Sequence, residues 1–301
     1  MKRKVSINLE RFQASRGDVA MLDVAKSIGV DAVDFSLIEH DYRKEGDIYS
    51  KSDAEIVAHM NEVRERAAEL GIEIGQTHGR IVGFCGDKEK DTATLRNARL
   101  DCLATSALGA KHCVMHTVTS MVFGKDADPD EMRRINFDMF TQILPYAKEF
   151  DIKVATETYG DAPGIGCIEF FGDMNEFIRG FDMISEASEY ADHFCVCMDT
   201  GHTHRSVRFG CPSVAECIKM LSDRIEVLHL NDNDGVFDQH KIPMTGTINW
   251  KDSFDALDEI GYHGNYNMEL DMQCFGAGFE YEEAEFAVRV MRHILKKRYG
   301  D

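Results

Sequence analysis

Residues 53–78 read DAEIVAHMNEVRERAAELGIEIGQTH. Asp53 to Leu70 carries a helical pattern, Gly71 offers the left-handed conformation that ends a helix, and Ile72 to Thr77 is a β-rich run. His78 stands at the end of that run. The same helix–glycine–strand phrase recurs at Ile28-Gly29-Val30, Leu108-Gly109-Ala110 and Ile260-Gly261-Tyr262. Eight β-rich runs follow one another: Val5 to Leu9, Ala32 to Leu37, Ile72 to Thr77, His112 to Thr117, Ile152 to Thr158, Phe194 to Asp199, Ile225 to Leu230 and Tyr266 to Leu270. Between them, helical patterns span Thr92 to Leu108, Pro129 to Phe150 and Met174 to Tyr190. Another starts near Pro212, read as a first-turn proline, and the last runs from Glu282 to Lys297.

Eight β/α units in 301 residues fit a (β/α)8 TIM barrel, which takes on the order of 250 residues. The rival is a doubly wound open sheet, with fewer strands and a glycine-rich phosphate loop after the first one. Here the first run leads into Asn8-Leu-Glu-Arg-Phe-Gln13, without such a loop. There are five prolines, no low-complexity linker and no shift in composition, so residues 1–301 read as one α/β barrel domain.

Composition narrows the function. The chain is 44% hydrophobic and 29% charged, an ordinary balance for a chain with a sizeable core. Lys and Arg number 34 against 53 Asp and Glu, a net charge of −19. On average such a chain repels phosphate backbones and anionic membranes, so neither is an expected partner. Nine cysteines form no paired CxxC spacing and read as buried thiols of a reducing cytoplasm. The start, Met1-Lys-Arg-Lys, runs straight into a strand-like segment with no signal-peptide stretch, and no run is long enough to span a membrane.

In a TIM barrel the chemistry sits at the C-terminal ends of the strands, and the last inward side chains decide it. Six consecutive runs deliver titratable or ligating groups there: Gln76-Thr-His78, Val114-Met-His116, Ala155-Thr-Glu157, Cys197-Met-Asp199, Val227-Leu-His229 and Asn267-Met-Glu269. Asp199 is followed by Thr-Gly-His202. Glu157, Asp199 and Glu269 are hard oxygen ligands and His229 adds an imidazole, a set that suits one Mn²⁺, Co²⁺, Mg²⁺ or Zn²⁺. Such an ion, holding adjacent carbonyl and hydroxyl oxygens, stabilises the ene-diolate formed by proton removal, and the neighbouring carboxylates can move that proton. The alternative for these four residues is a buried ion-pair cluster, which without a cation would strain its own ionisation. After His229, the loop Leu-Asn-Asp-Asn-Asp-Gly-Val-Phe-Asp238-Gln-His240 places Asp-x-His over the rim, for substrate or a second ion. It continues as Pro243-Met-Thr-Gly246-Thr-Ile-Asn-Trp250, a turn leading to the last helix, with Trp250 as a core anchor. Arg80, His204 and Arg205 lie near the rim, where they can hold a substrate phosphate or carboxylate or serve the surface. Phe84, Phe123 and Phe171 form an apolar lid or pack beneath their loops.

At these residues the chain resembles the xylose isomerase-like TIM barrels, the superfamily of sugar isomerases and epimerases that also contains endonuclease IV. The motifs are Thr-Glu157-Thr, Met-Asp199-Thr-Gly-His202, Leu-His229-Leu-Asn-Asp, Asp238-x-His240, Gly246-x-Ile-x-Trp250 and Met-Glu269, in family order. The resemblance implies one divalent metal held by Glu157, Asp199, His229 and Glu269. It also implies that Glu157 and Glu269 act as acid and base, and that His202 contacts substrate. His78, His116, Asp238 and His240 complete the expected substrate-binding set. The implied activity is a metal-dependent isomerase or epimerase of a small sugar or sugar phosphate. An inosose-dehydratase-like lyase and a C-glycoside-cleaving subunit are the nearest alternatives. The DNA-repair branch implies three zinc ions on His78, His116, Glu157, Asp199, His202, His229, Asp238, His240 and Glu269, and hydrolysis of abasic DNA. This chain departs from that branch at Met244-Thr-Gly246, where Gly-Glu-Gly is expected, and in its acidic stretch after His229. A non-catalytic sugar-binding barrel has no use for both glutamates. A homo-oligomer is implied by resemblance alone.

Overall fold

Alternation along each strand builds the barrel. In the computed structural model, which describes residues 3–300, eight parallel strands form one sheet. They are β1 (Val5–Asn8), β2 (Ala32–Ser36), β3 (Glu73–His78), β4 (His112–Met115), β5 (Lys153–Glu157), β8 (Phe194–Asp199), β9 (Ile225–His229) and β10 (Tyr266–Met268). Two short strands, β6 (Asp161–Ala162) and β7 (Cys167–Ile168), make a separate antiparallel hairpin after β5. The order β10-β1-β2-β3-β4-β5-β8-β9 closes on itself, because Leu230 pairs with Met268 and its N–H donates to the Asn267 carbonyl at 2.8 Å. The single (β/α)8 barrel expected from the eight runs is the fold.

Strands covered on both faces must be apolar on one and selective on the other. In β8, Phe194, Val196 and Met198 join the large core against the helices, while Cys195 and Cys197 belong to a small interior cluster with Val114, Ala155 and Val227. Small side chains fill the lower barrel, and the next inward positions, one step towards the C-terminal ends, are His116, Glu157, Asp199 and His229. The same phase puts Ser6 and Asn8 of β1, and Asp34 of β2, inside, opposite the outward Val5, Ile7, Val33 and Phe35.

The helices start and stop for local reasons. Asp53–Leu70 begins with a capping box in which Ser52 and Glu55 satisfy each other's backbone N–H, and ends at Gly71, whose φ is 69°. Lys88–Leu108 starts one turn before the expected Thr92, because the Asp87 carboxylate accepts from the N–H groups of Glu89 and Lys90. Pro212 is not a first-turn residue: Ser213 caps Val214–Leu221, leaving the proline outside. The turn at Trp250 opens a helix of its own, Trp250–Glu259, and β10 precedes the last helix, Glu280–Tyr299. Trp250 is buried and its Nε1 donates to Asp232 Oδ2 at 2.7 Å, which pins the long loop after β9. Phe84 and Phe171 are buried and Phe123 is partly so, packed against the core beneath the rim loops. All nine cysteines are free thiols. No helix among the described residues is long and apolar enough to cross a membrane.

Candidate active site

The inward phase of the strands gathers six of the nine rim residues expected from the sequence, and the helix after β8 and the loop after β9 bring His202, Asp238 and His240 to the same place. His78 ends β3, Glu157 ends β5, Asp199 ends β8 and His229 ends β9, while His116 and Glu269 follow β4 and β10 by one residue. One ligand atom from each of Glu157, Asp199, His229 and Glu269 lies within 4.8 Å of the others. His229 Nδ1 is 3.3 Å from both Glu157 Oε1 and Glu269 Oε2. His78 Nε2 lies 3.4 Å from Glu157 Oε2 and 3.5 Å from Glu269 Oε1, and His116 Nε2 lies 3.1 Å from Glu157 Oε2. His202, on the helix Thr200–Ser206 that Asp199 caps, sets Nδ1 3.1 Å from Glu157 Oε1. Its Nε2 is 3.5 Å from Asp238 Oδ2, and His240 Nε2 is 3.2 Å from Asp238 Oδ1. His202, Asp238 and His240 thereby form a second group whose ligand atoms lie within 4.8 Å of one another, and His78, Glu157 and His229 form a third.

The first group fits a divalent cation. Both oxygens of Glu157, His229 Nδ1 and Glu269 Oε2 are buried, and what they face at 3.1 to 3.4 Å is one another and histidine ring nitrogens in poor hydrogen-bond alignment. Buried polar atoms left in that state cost free energy unless something satisfies them. A hard or borderline cation supplies what these lone pairs lack, and no thiolate enters the set. The ring of His229 is already oriented for it. Its Nε2 lies 3.0 Å from Asp34 Oδ2, so with that nitrogen donating, Nδ1 presents its lone pair to the carboxylates. Asp34 also accepts from Gln76 Nε2 and Asn267 Nδ2, both at 3.0 Å. Asp199 is held from both sides, by the His202 N–H on Oδ1 at 2.5 Å and Asn231 Nδ2 on Oδ2 at 2.7 Å.

Electrostatics in the site pull in opposite directions. Burial pushes Glu157 up, but His229 and His116 overcome it and hold this carboxyl well below the usual range. Burial pushes Asp199 up to about 6 against the pull of His202, with Glu157 and Glu269 adding to the rise. Burial would lower His240, yet Asp238 and Glu269 raise it to about 9. Six or more titratable groups in mutual contact is the pattern of a site that trades protons or binds cations.

A cavity of about 910 Å³ opens at the edge of this cluster, beside Glu269, Asp238 and His240, and is lined also by Asn8, the helix after β1 including Glu10, Arg11 and Arg16, and Met272 after β10. Glu269 keeps 12% of its side chain exposed towards it, whereas Glu157 is fully covered. Four participants escape a reading by strand ends. Asp34 sits inside β2; its signal was the inward phase. Glu10 opens the helix Glu10–Arg16 just after β1, and burial raises its carboxyl, opposed by His78. Asn231 orients Asp199, and the Tyr159 ring stacks on His202 at 5.5 Å between centroids.

The expected anion-holding role of the rim cations does not stand as read. Arg80 is committed to the buried Asp101, 2.7 Å from Nε, and to the His40 carbonyl. His204 Nε2 faces Thr247 Oγ1 at 2.9 Å. Arg205 is sealed between Asp161 and Asp238. Groups that sequence leaves open for substrate are thus taken up by carboxylates, a backbone carbonyl and, for His204, a threonine hydroxyl.

A family model described as xylose isomerase-like TIM barrel matches residues 22–294. Among curated relatives, a probable endonuclease 4 of Staphylococcus carnosus is 28% identical over 167 residues, which cover 53% of this chain and 51% of that one. The chain spans about half the length of the first curated relatives it matches. The barrel superposes on a D-tagatose 3-epimerase-like protein with a TM-score of 0.73, at 17% identity, covering 98% of this chain and 99% of the other. It superposes on the IOLI protein with a bound zinc atom with a TM-score of 0.72, at 16% identity, covering 99% of this chain and all of the other. At these identities the superpositions speak for the fold alone.

Proposed function

The chain belongs to the xylose isomerase-like TIM barrel family, and from that premise we propose a divalent-metal-dependent isomerase or epimerase of a sugar or sugar phosphate. The observation that carries the proposal is the set of buried, poorly satisfied lone pairs on Glu157, His229 and Glu269, with Asp199 beside them, at the edge of an open cavity. Glu157, Asp199, His229 and Glu269 hold the cation, which when bound neutralises negative charge developing on adjacent oxygens of a hydroxy-carbonyl substrate. Glu269, the carboxylate with access to the cavity, takes the proton next to the carbonyl. Glu157, kept ionised by the histidines around it, passes on from beneath a proton that His202 supplies at 3.1 Å. His202, His240, His78 and His116 orient substrate oxygens, and Asp238 keeps His202 and His240 in place. Likeness to an epimerase-like protein and to a zinc-containing barrel supports this reading. A dehydratase shares the first proton transfer and differs only in the fate of the resulting ene-diolate.

The test is wash-in of solvent deuterium into ketoses and inososes, read by mass spectrometry on metal-loaded protein. Exchange that disappears in Glu269→Gln and Glu157→Gln supports the proposal, and exchange unchanged in both variants removes it.

A second reading has a specific observation behind it. Two of the three ligand groups share Glu157 and His229, the third adjoins them where His202 faces Glu157 at 3.1 Å, and a probable endonuclease 4 is among the relatives. It predicts three zinc ions per chain and cleavage of abasic DNA. A net charge of −19 opposes it.

A further inference from the structure

We propose that Arg205 is a built-in cation that takes the positive place at His202–Asp238–His240 and so keeps a second divalent ion out of this site. The inference deepens the one-cation reading above.

The two groups of ligands differ in one respect. Around Glu157, Asp199, His229 and Glu269, the charged or hydrogen-bonding side chains among the described residues include histidines, Asn231 and Asp34. No arginine or lysine pairs with them there. Asp238 is otherwise placed. Arg205, one turn beyond His202 on the same helix, sets Nη2 3.2 Å from Asp238 Oδ2. That oxygen is also the one His202 Nε2 faces at 3.5 Å. An ion shared by His202 and His240 would take Asp238 as its carboxylate ligand and meet a guanidinium already seated on it.

The guanidinium has nowhere to go. Its side chain is 3% exposed, and Nη1 lies 2.8 Å from Asp161 Oδ1 on the β6–β7 hairpin. Asp161 is itself buried and pairs through its other oxygen with Arg208, which also donates to the Val236 carbonyl at 3.1 Å. Three segments are clamped this way: the hairpin after β5, the helix after β8, and the loop after β9 that carries Asp238 and His240. Two cations at this distance in a partly desolvated pocket repel strongly.

The experiment counts metal on the full chain. Protein is stripped with chelator, titrated with Zn²⁺ against a chromophoric competitor, and counted by elemental analysis. Wild type and Arg205→Lys are expected to bind one tight equivalent. Arg205→Gln combined with Asp161→Asn is expected to gain a second, at least about 100-fold tighter than any second binding in wild type. Adding His240→Ala should remove the gain. The proposal is overturned if wild type binds a second zinc that Asp238→Asn or His240→Ala removes. It is equally overturned if the Arg205 variant, folded by circular dichroism, stays at one. Should that variant not fold, the wild-type count and its response to Asp238→Asn decide alone. Loss of the main-site metal reading shows separately, as wild type that binds no zinc.

Discussion

Asp34→Asn is the most informative single perturbation of the metal-holding apparatus, because it leaves every proposed ligand in place and changes only what stands behind His229. Asp34 Oδ2 lies 3.0 Å from His229 Nε2, Gln76 Nε2 and Asn267 Nδ2, so three potential donors converge on one buried oxygen. The substitution is isosteric. Its amide oxygen can still accept, but the negative charge that stabilises the Nε2–H tautomer and strengthens Nδ1 as a ligand is gone. Removal of such a partner behind a ligating histidine typically costs about 10- to 100-fold in metal affinity, or roughly 1.4 to 2.7 kcal/mol. Asp34→Ala goes further, since Gln76 and Asn267 lose an acceptor inside the barrel. An added destabilisation of about 1 to 3 kcal/mol for each unsatisfied group is expected. Competition with a chromophoric chelator reads the affinity, and thermal melts of stripped protein read the fold. The expected split is weaker metal binding in Asp34→Asn with little change in the stripped melt, and both effects in Asp34→Ala. Metal affinity in Asp34→Asn within a factor of about two of wild type would refute the orienting role.

Gly201→Ala should also weaken metal binding without changing any charge. A methyl group there collides with the Asn231 amide, which holds Asp199 Oδ2; unchanged affinity by the same competition assay would contradict this. At the opposite end of the barrel, Glu226 pairs with His112 and Lys153. Burial opposes its ionisation, but these hydrogen bonds hold it at about 2 against an ordinary 4.5. Its folded value is depressed, so the stability it adds is present above pH 4.5 and is lost as pH falls towards 2. Denaturant unfolding between these limits should show wild type losing more stability than Glu226→Gln, and parallel curves would count against the pairing. Because Arg80 and Arg205 are committed to Asp101 and Asp161, deuterium wash-in should be faster with a neutral ketose than with its phosphate. The reverse order would show that a rim cation is available after all.

The barrel was legible because two local signals repeat. Apolar runs mark strands covered on both faces, and glycines such as Gly71 and Gly109, both with positive φ, mark where helices stop. Strand ends came out within a residue or two, since pairing stops where neighbours end and not where apolarity does: Leu230 and Leu270 are buried yet lie beyond β9 and β10. Helix starts depended on side chains outside the apolar pattern, as Asp87 and Ser213 show. The proposed ligands were legible because each stands at the last inward position of its strand. Asp34 escaped because it stands one inward step below the end of β2, where Ser36 takes the last inward place, so a reading confined to strand ends passes over it. The arginines escaped for a different reason. Whether Arg80 or Arg205 is free depends on Asp101 and Asp161, residues 21 and 44 positions away, which only the fold brings near.

Metal content per chain, on protein purified without added metal and then on Glu157→Gln and Glu269→Gln, bears on the proposed site before any substrate is known. One equivalent of a divalent ion in wild type, bound more weakly in both variants, is the expected result. Three equivalents of zinc would favour the phosphodiesterase. Protein that binds none, even when metal is supplied, would reduce Glu157, Asp199, His229 and Glu269 to a structural cluster.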